Sequence, residues 1–305
     1  MLFQLPTLNQ AIYRVMRLRR LIAVAVAVPF VTLLALSWMD PSVLTAAEAS
    51  VAILGLTAVI VAHTVLFPNV TLETLALSFA LTTLVVLMPL ISALSLWAPV
   101  AQQSGAFALL VMFAVAMTGL LVVLLHILLG SLTYGGPVLR RVLHMRQALP
   151  CSKDVAFQQL ALRPATRRGR VLTGPVDDNG FFDVAVALAG PEGAEDHVRV
   201  DAKVLETSDD RHDVMLLTRS GAMTVTSLGF TETKDGCVVD VRDMPGDFTL
   251  GMYAMFWLTD QQADNLTEMT DGLFGRDPRA NGLAHHGSLM AVAGAILSPR
   301  APMVD

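Results

Sequence analysis

The chain has 305 residues, of which 54% are hydrophobic and only 15% are charged, and its mean hydropathy is +0.58. A soluble globular protein needs more polar surface than this, so an ordinary water-soluble fold is excluded. The charge is uneven: residues 1–146 carry seven basic and three acidic residues, whereas residues 147–305 carry 14 basic and 23 acidic. The acidic second part argues against nucleic acid as a partner, because its phosphates would be repelled.

The first twenty residues are basic and amphipathic. Thr7 is a suitable N-cap for a short helix over residues 7–16. Its apolar side would consist of Leu8, Ile12, Val15 and Met16. The basic residues before the first apolar run are Arg14, Arg17, Arg19 and Arg20. We therefore expect residues 1–20 to lie on the cytoplasmic surface of a membrane.

Four apolar runs without Asp, Glu, Lys or Arg follow, each long enough to cross a bilayer as a helix of about 20 residues. They cover residues 21–39, 50–67, 74–97 and 105–132. Basic residues precede the first run and follow the fourth, at Arg140, Arg141 and Arg146. By the positive-inside rule, the sequence predicts a four-helix transmembrane domain over 21–133 in a bacterial inner membrane, with the N-terminus and the C-terminal domain in the cytoplasm.

Two histidines, His63 and His126, lie within the predicted spans. Ionisable side chains in a membrane are candidates for function, and these two are predicted to lie at nearly the same depth. They could ligate a haem iron or a metal, or pass protons. The alternative is structural: each neutral ring hydrogen-bonds a neighbouring carbonyl or hydroxyl, such as that of Thr64 or Thr118, and no cofactor is needed.

The second part has the pattern of a soluble α+β domain. Residues 134–150 are interpreted as a basic juxtamembrane linker and residues 151–280 as the cytoplasmic domain. Turn signals separate short β-type stretches, which predicts an antiparallel sheet of five or six strands. The predicted strands are 181–188, 198–206, 213–218, 223–230, 237–242 and 248–257, with a hairpin turn at 234–237.

A helix is predicted to follow the sheet and pack on it. Thr259 and Gln262 have the spacing of a capping box, and Gly275 lies just past a plausible end. One side of this helix carries an acidic stripe: Asp260, Asp264, Glu268 and Asp271. No basic residue on the helix pairs with it, so the stripe is either solvated or docks on a basic surface.

The basic surface could come from this chain, at Arg163, Arg167, Arg168 and Arg170, or from a partner. The segment Arg163-Pro-Ala-Thr-Arg167 resembles the R-x-x-x-R motif at the start of PilZ domains, which bind cyclic di-GMP. The resemblance implies that Arg163 and Arg167 grip phosphate and guanine. The second PilZ motif, D/N-x-S-x-x-G, has no match in the strands that follow.

The order of a sheet and then a long helix is also similar to that of helix-grip domains, which enclose apolar ligands. The resemblance lies in the layout alone, and no helical segment is evident after a first strand. It implies a pocket for a small apolar ligand, lined by Tyr253, Phe256 and Trp257. The last residues, 281–305, are interpreted as a tail with a short apolar helix over 287–297, which is too short to span a membrane.

No nucleophile-elbow, P-loop, Rossmann, H-E-x-x-H or kinase signature occurs, so nothing in the sequence supports an enzyme. The pattern favours a non-enzymatic membrane anchor that presents a cytoplasmic ligand- or protein-binding domain. Its expected partners are the lipid bilayer and a protein or a small apolar ligand. The alternatives are a redox or transport subunit that uses His63 and His126, with haem or a metal, and a membrane protein that responds to a cyclic dinucleotide.

Overall fold

The structure, a computed structural model, describes residues 5–39, 45–93, 106–169, 171–187, 197–219, 221–274, 279 and 288. The predicted apolar helix at 287–297 therefore lies outside the described residues, apart from residue 288. The first half of the described chain is helical. Its helices are α1 (Leu8–Arg17), α2 (Arg19–Met39), α3 (Ala46–Leu66), α4 (Thr71–Ala93) and α5 (Ala106–Tyr134).

Helix α1 begins where the sequence predicts. The Thr7 hydroxyl accepts from the N–H of Gln10, and the side chain of Gln10 accepts from the N–H of Thr7, which forms a reciprocal capping box. The apolar residues Leu8, Ile12 and Met16 are exposed. The helix therefore presents an apolar side that no described part of the protein covers.

Three described helical stretches are long and apolar enough to cross a membrane: α2, α3 and Met112–Tyr134 of α5. The described apolar part of α4, Thr71–Leu87, is shorter. The composition of these helices is that of a membrane protein, and each of the four predicted spans coincides with a helix. A count of four crossings stays a prediction.

The helices pack through apolar clusters. In one cluster Leu21 and Ala25 of α2 contact residues from α3 and α4, among them Ile60 and Leu75. In another, Ala76 near the beginning of α4 packs in the same cluster as Leu129 near the end of α5. Because the beginning of α4 lies beside the end of α5, these two helices are antiparallel.

The second half contains an antiparallel sheet of eight strands, in the order β1-β8-β7-β6-β5-β4-β3-β2. Strands β2 to β8 form a meander, and β1 pairs with β8. The strands are β1 (Leu143–Leu149), β2 (Arg167–Arg168), β3 (Val171–Thr173), β4 (Phe182–Ala187), β5 (His197–Thr207), β6 (Arg211–Leu217), β7 (Met223–Thr233) and β8 (Gly236–Pro245). The predicted antiparallel α+β arrangement is confirmed, with more strands than the predicted five or six.

Five predicted strands correspond to β4 through β8, and the predicted hairpin turn joins β7 to β8. Gly236 in this turn has φ +144, and a Cβ there would collide with the backbone of Leu149. Such a conformation and so close an approach both require glycine.

Strand β1 corrects the prediction that residues 134–150 are a linker. Its residues alternate between partly buried and exposed, and Leu149 at its end is buried. The exposed positions carry His144 and Arg146, and these polar side chains gave the segment the composition of a basic linker. Pairing with β8, which the sequence does not reveal, makes the segment a strand.

Helix α6 (Lys153–Leu160) follows β1 directly. The sequence showed no helical segment after a first strand, but the structure has one. Ala156 and Leu160 of α6 are buried in a core cluster with Val239 of β8 and Leu266. This helix therefore covers the part of the sheet formed by β1, β7 and β8.

Two further helices follow the sheet: α7 (Leu250–Thr259) and α8 (Gln261–Leu273). The strand predicted at 248–257 is wrong, because these residues form most of α7. Thr249 caps α7 by accepting from the N–H of Met252. Leu258 of this helix packs in the cluster of α2, α3 and α4. An apolar run without alternation fits either a strand or a helix, and contact with the bundle decides for the helix.

The predicted capping box at Thr259 is also wrong. The hydroxyl of Thr259 donates to the carbonyl of Met255 inside α7, and α8 begins only at Gln261. Between the two helices Asp260 adopts φ +49, in the left-handed region. Because an aspartate tolerates this conformation at moderate cost, the chain can turn here without a glycine.

Candidate functional site

The first and last described helices meet in a buried polar cluster, which we call the clamp. It consists of Tyr13 and Arg17 from α1 with Thr259, Gln261 and Asp264 from the α7–α8 region. The Arg17 guanidinium lies 2.9 Å from the Asp264 carboxylate, and the two side chains are 2% and 0% exposed. This Nη1 contact is an ion pair without the alignment of a hydrogen bond. Aligned bonds run from Nε to the Thr259 carbonyl at 2.9 Å and from Nη2 to Gln261 at 2.8 Å.

Tyr13 completes the clamp from the same helix. Its hydroxyl donates to the carboxylate of Asp264 at 3.0 Å. Burial, and secondly the negative charge of Asp264, raise the pKa of Tyr13 well above its ordinary value, so the phenol keeps its proton. Burial lowers the pKa of Arg17, and Asp264 opposes this effect. Since a guanidinium stays charged at neutral pH, the clamp holds one cation and one anion inside the protein.

A buried ion pair of this kind fixes the geometry of the helices that it joins more than it adds to the stability of the protein. Desolvation offsets much of the attraction between the two charges, so the net contribution to stability is small. Removing one partner is expensive, at about 3–5 kcal/mol, because the other charge is left buried and unpaired. The clamp therefore opposes any arrangement in which α1 and α8 separate.

Two more arginines attach the same region to its neighbours. Arg14 of α1 donates to the carbonyl of Val65 in the last turn of α3, where the helix dipole favours a cation. Arg20 at the start of α2 donates to the carbonyl of Trp257 at 3.0 Å, and its guanidinium lies 5.0 Å from the centre of the Trp257 ring. The N-terminal segment thus contacts both the bundle and α7.

The acidic stripe is not a solvated face in the structure. Asp264 is 0% exposed and pairs with Arg17, and Asp271 is 1% exposed and accepts two side-chain hydrogen bonds from Arg279. Asp260 lies in the turn between α7 and α8, and Glu268 is partly buried. The basic partners of this helix therefore come from this chain, at residues that the sequence analysis did not pair with it.

The arginines in and after the R-x-x-x-R segment are not the residues that pair with Asp264 and Asp271 of the acidic stripe. Arg168 donates to the carbonyls of Gln159 and Ala161 at the end of α6. Arg163 stacks over the ring of Phe157, at 5.3 Å, and Arg167 is exposed. Two of the three described arginines thus support the local fold, and binding of a cyclic dinucleotide by Arg163 and Arg167 stays a prediction.

His63 lies in a second buried cluster, which we call the histidine–glutamate cluster: His63, Glu73, Thr74 and His126. The Nε2 atom of His63 is 2.9 Å from Glu73, and its Nδ1 atom is 3.0 Å from the hydroxyl of Thr74. The side chains of His63 and Glu73 are 2% and 1% exposed. His126 also interacts electrostatically with Glu73. A carboxylate therefore lies beside His63, where the sequence analysis expected a neighbouring carbonyl or hydroxyl.

Both ring nitrogens of His63 are engaged, so neither is free to bind a metal in this arrangement. Among the described residues no group of three or more His, Cys, Asp or Glu side chains could hold a metal ion. Haem or a metal at His63 and His126 stays a prediction from the sequence.

Sequence reasoning missed four functional candidates: Tyr13, Arg14, Arg17 and Glu73. The first three lie on the side of α1 opposite its apolar residues. This arrangement is visible in the sequence, and it indicates that the two arginines need hydrogen-bond acceptors elsewhere in the chain if that side of the helix is buried. Glu73 lies just outside the predicted third span. Only the short turn between α3 and α4 brings it back beside His63.

No protein-family model matches this chain, and no curated protein matches its sequence. Solved structures with a similar fold cover its second half. Protein MLL2253 from Mesorhizobium loti is 10% identical with a TM-score of 0.32, over 44% of this chain and 97% of that one. Norcoclaurine synthase from Thalictrum flavum is 13% identical with a TM-score of 0.30, over 44% of this chain and 84% of that one. Scores this low carry no inference about what this chain binds or does.

Proposed function

We propose that this protein is a multi-pass protein of the bacterial inner membrane that holds its α+β domain against the cytoplasmic face of the membrane in one orientation, and presents it there to a protein or a small apolar ligand. The clamp carries this proposal. A domain on a flexible tether needs no buried ion pair with the membrane half, whereas Arg17 and Asp264 join the two halves with side chains that are 2% and 0% exposed.

The contacts at the two ends of the bundle support four crossings. Arg17, just before α2, contacts Gln261 and Asp264 of α8, and the carbonyl of Thr133, near the end of α5, accepts from the hydroxyl of Thr249. The chain thus enters and leaves the bundle at the side of the sheet domain, which favours an even number of crossings. Because α2, α3 and α5 supply three, α4 is the natural fourth, and its antiparallel packing on α5 supports this.

The orientation of the bundle in the membrane is inferred from the end that lies beside the sheet domain. Arg19, Arg140 and Arg141 are exposed at the sheet-domain end, where α2 begins and α5 ends. Exposed arginines beside membrane spans favour the cytoplasmic side. We therefore place the sheet domain in the cytoplasm.

The order of elements supports a ligand-binding role for the domain. The strand β1, the helix α6, the seven-stranded meander β2 to β8 and, after α7, the helix α8 follow the layout of the helix-grip domains that the sequence resembles. Helices α6 and α8 pack on the part of the sheet at β1, β7 and β8. The other part, at β3 to β6, carries a second apolar cluster whose members Val186, Val200 and Leu216 are only partly buried by the described residues. This is where a small apolar ligand would bind.

The experiment that tests the anchoring role replaces Arg17 by Met in the full-length protein. Asp264 is then buried without its partner, at a cost of about 3–5 kcal/mol, and the domain should separate from the bundle more often. Trypsin cleavage at Arg140 or Arg141, in the exposed segment between bundle and sheet, should become at least about tenfold faster. Mass spectrometry of the products identifies the cut.

The matched control is Arg19→Met. Arg19 is exposed, and its described hydrogen bond runs only to the carbonyl of Met16 in the preceding turn, so its loss should leave the cleavage rate unchanged. Equal rates for Arg17→Met and the wild-type protein would show that the clamp does not hold the domain, and the anchoring proposal would be wrong.

A further inference from the structure

Two ionisable side chains of the bundle, His63 and Glu73, contact each other, and a third, His126, interacts electrostatically with Glu73. His63 comes from α3, Glu73 from the first turn of α4, and His126 from α5. Ionisable groups in such surroundings are costly, and they mark sites of proton or ion binding more often than they mark stability. The anchoring role of the clamp makes no use of them.

The hydrogen bonds around His63 depend on how many protons the cluster holds. The hydroxyl of Thr74 lies 3.3 Å from the carbonyl of Val70, to which it donates. With its hydrogen placed there, the Thr74 oxygen can only accept from Nδ1–H of His63, and an ionised Glu73 can only accept from Nε2–H. Both ring nitrogens then carry a proton, so His63 is an imidazolium that faces the Glu73 carboxylate.

Loss of one proton needs no movement of heavy atoms. If Nδ1 gives up its proton, the Thr74 hydroxyl can rotate away from Val70 and donate to Nδ1, which now has a lone pair. Nε2–H continues to donate to Glu73. Each state therefore satisfies both ring nitrogens of His63, and the two states differ by one proton.

His126 provides a second basic group beside the same carboxylate. Its Nδ1 atom is buried and has no hydrogen-bond partner among the described residues, and Glu73 acts on it electrostatically. A buried nitrogen without a hydrogen-bond partner costs free energy, and a functional role is one explanation for such an atom in a native structure.

We propose that His63, Glu73 and His126 form a proton-binding site within the bundle. In this proposal the hydroxyl of Thr74 changes its hydrogen-bond partner when His63 gains or loses a proton. The ligand is a single exchangeable proton. Its uptake from water raises the charge of the cluster by one, and its release returns it to water. The proton is carried by His63 in the state with Thr74 bonded to Val70, and His126 is the second acceptor.

The charged groups on neighbouring elements are already engaged elsewhere. On α1, Arg14 donates to Val65 and Arg17 pairs with Asp264. At the start of α2, Arg19 and Arg20 donate to Met16 and Trp257. Among the described residues of the bundle, Glu73 is therefore the carboxylate that contacts His63 and interacts with His126.

The test is nitrogen-15 NMR of histidine-labelled, full-length protein in lipid bilayers, between about pH 5 and about pH 8, where histidines titrate. Ring-nitrogen signals distinguish imidazolium from neutral imidazole, and His63→Asn and His126→Asn assign the two sites. We expect wild-type His63 to be doubly protonated at the acid end and to lose one proton as the pH rises. Glu73→Gln should lower the midpoint for His63 by at least about one pH unit, because its counter-charge is gone.

Variants of Thr74 and Ser78 separate proton binding from general damage. Thr74→Val removes the acceptor of Nδ1–H and should also lower the midpoint, whereas Thr74→Ser keeps the hydroxyl and should restore it. Ser78→Ala is the matched control, since Ser78 donates to the carbonyl of Ala25 one turn further along α4, and should leave the midpoint unchanged. The proposal would be overturned if wild-type His63 stays neutral at every pH, or if Glu73→Gln leaves the midpoint of its titration unchanged. Either result leaves the anchoring role untouched, because the clamp shares no residue with this site.

Discussion

Single residues in this protein are governed by the cost of burying ionisable groups. The clamp pairs Arg17 with Asp264 and the histidine–glutamate cluster pairs His63 with Glu73, each at 2.9 Å between side chains that are at most 2% exposed. The sheet domain contains a buried histidine whose described hydrogen bonds go to uncharged groups. His212 of β6 is buried, with Nε2 at 2.8 Å from the carbonyl of Leu162 and Nδ1 at 3.0 Å from the hydroxyl of Thr207.

Burial lowers the pKa of His212, partly opposed by its hydrogen bond to Leu162. The neutral ring is therefore favoured in the folded state, while the unfolded chain takes up a proton near pH 6.5, roughly the ordinary value. Stability contributed by the neutral ring is present above that pH and is lost as the pH falls below it. We predict that His212→Gln makes the stability of β6 less dependent on pH between about 7 and 5.

Hydrogen exchange of the β6 amides in the full-length protein, corrected for the intrinsic effect of pH on exchange, measures this dependence. The control is Met223→Gln on β7, because Met223 is exposed and carries no titratable group, and the slope of this variant should equal that of the wild type. If His212→Gln also keeps the wild-type slope, the titration of His212 does not contribute to stability in this range.

Gly251 gives a second prediction at this scale. A Cβ at this position would lie 2.5 Å from the Cα and 2.7 Å from the carbonyl oxygen of Thr133. Because both are backbone atoms, α7 must move away from the end of α5. We predict that Gly251→Ala lowers the thermal stability of the full-length protein by several degrees, as measured by the loss of helical circular dichroism in detergent.

Gly272 in α8 is the matched control for Gly251. Nothing lies within 4 Å of a Cβ built there, so alanine should be neutral, or stabilising by up to about 1 kcal/mol through its higher helix propensity. Equal stabilities of Gly251→Ala and Gly272→Ala would contradict the close contact between α7 and α5.

At the scale of elements, α1 has two sides with different partners. Arg14 and Arg17 face the protein and are 5% exposed, whereas Leu8, Ile12 and Met16 are 76%, 54% and 60% exposed. An apolar side next to a basic one, beside membrane-length helices, fits a helix at the lipid–water interface. The clamp fixes how α1 turns about its axis and so directs this side away from the protein.

We predict that a spin label at Ile12→Cys, in a protein without Cys151 and Cys237, contacts lipid. Relaxation of the label by oxygen, which concentrates in lipid, should exceed relaxation by a water-soluble reagent. The control is Val155→Cys on α6, which is exposed on the sheet domain and should show the opposite order. Equal accessibility of both labels to the water-soluble reagent would place α1 in water.

At the scale of the whole molecule, the segment between the helical bundle and the sheet domain is not a linker, because its residues Leu143–Leu149 form β1. If the sheet domain began after residue 150, it would lack β1. Leu149 of this strand lies in the core of the domain and is 3% exposed. Helix α7 belongs to the sheet domain in sequence but packs on α2 and α5.

The corresponding prediction compares two fragments. A fragment of residues 137–305 keeps β1 and should unfold cooperatively in urea, whereas a fragment of residues 150–305 lacks the strand beside β8 and should show a lower midpoint or no cooperative transition. Both lack α1, so the comparison isolates β1. Equal midpoints would mean that β1 adds nothing to the sheet domain.

Much of this architecture follows from local pattern. Long apolar runs predict the helices of the bundle, because backbone groups in hydrocarbon must be satisfied within the helix. The alternation in β5 and the turn before Gly236 predict strands, because side chains on a strand alternate between its two faces. The cap at Thr7 predicts the start of α1. Each of these signals lies within a few residues of the structure that it specifies.

Partners that are distant in sequence were decided only by the tertiary structure. Tyr13 and Asp264 are 251 positions apart and share a hydrogen bond, and no local pattern links them. Likewise α7 is a helix and β1 a strand because of what they pack on, and Glu73 belongs with His63 because a turn folds α4 back along α3. Local sequence sets propensity and periodicity, whereas the pairing of buried charges depends on which surfaces meet when the chain folds.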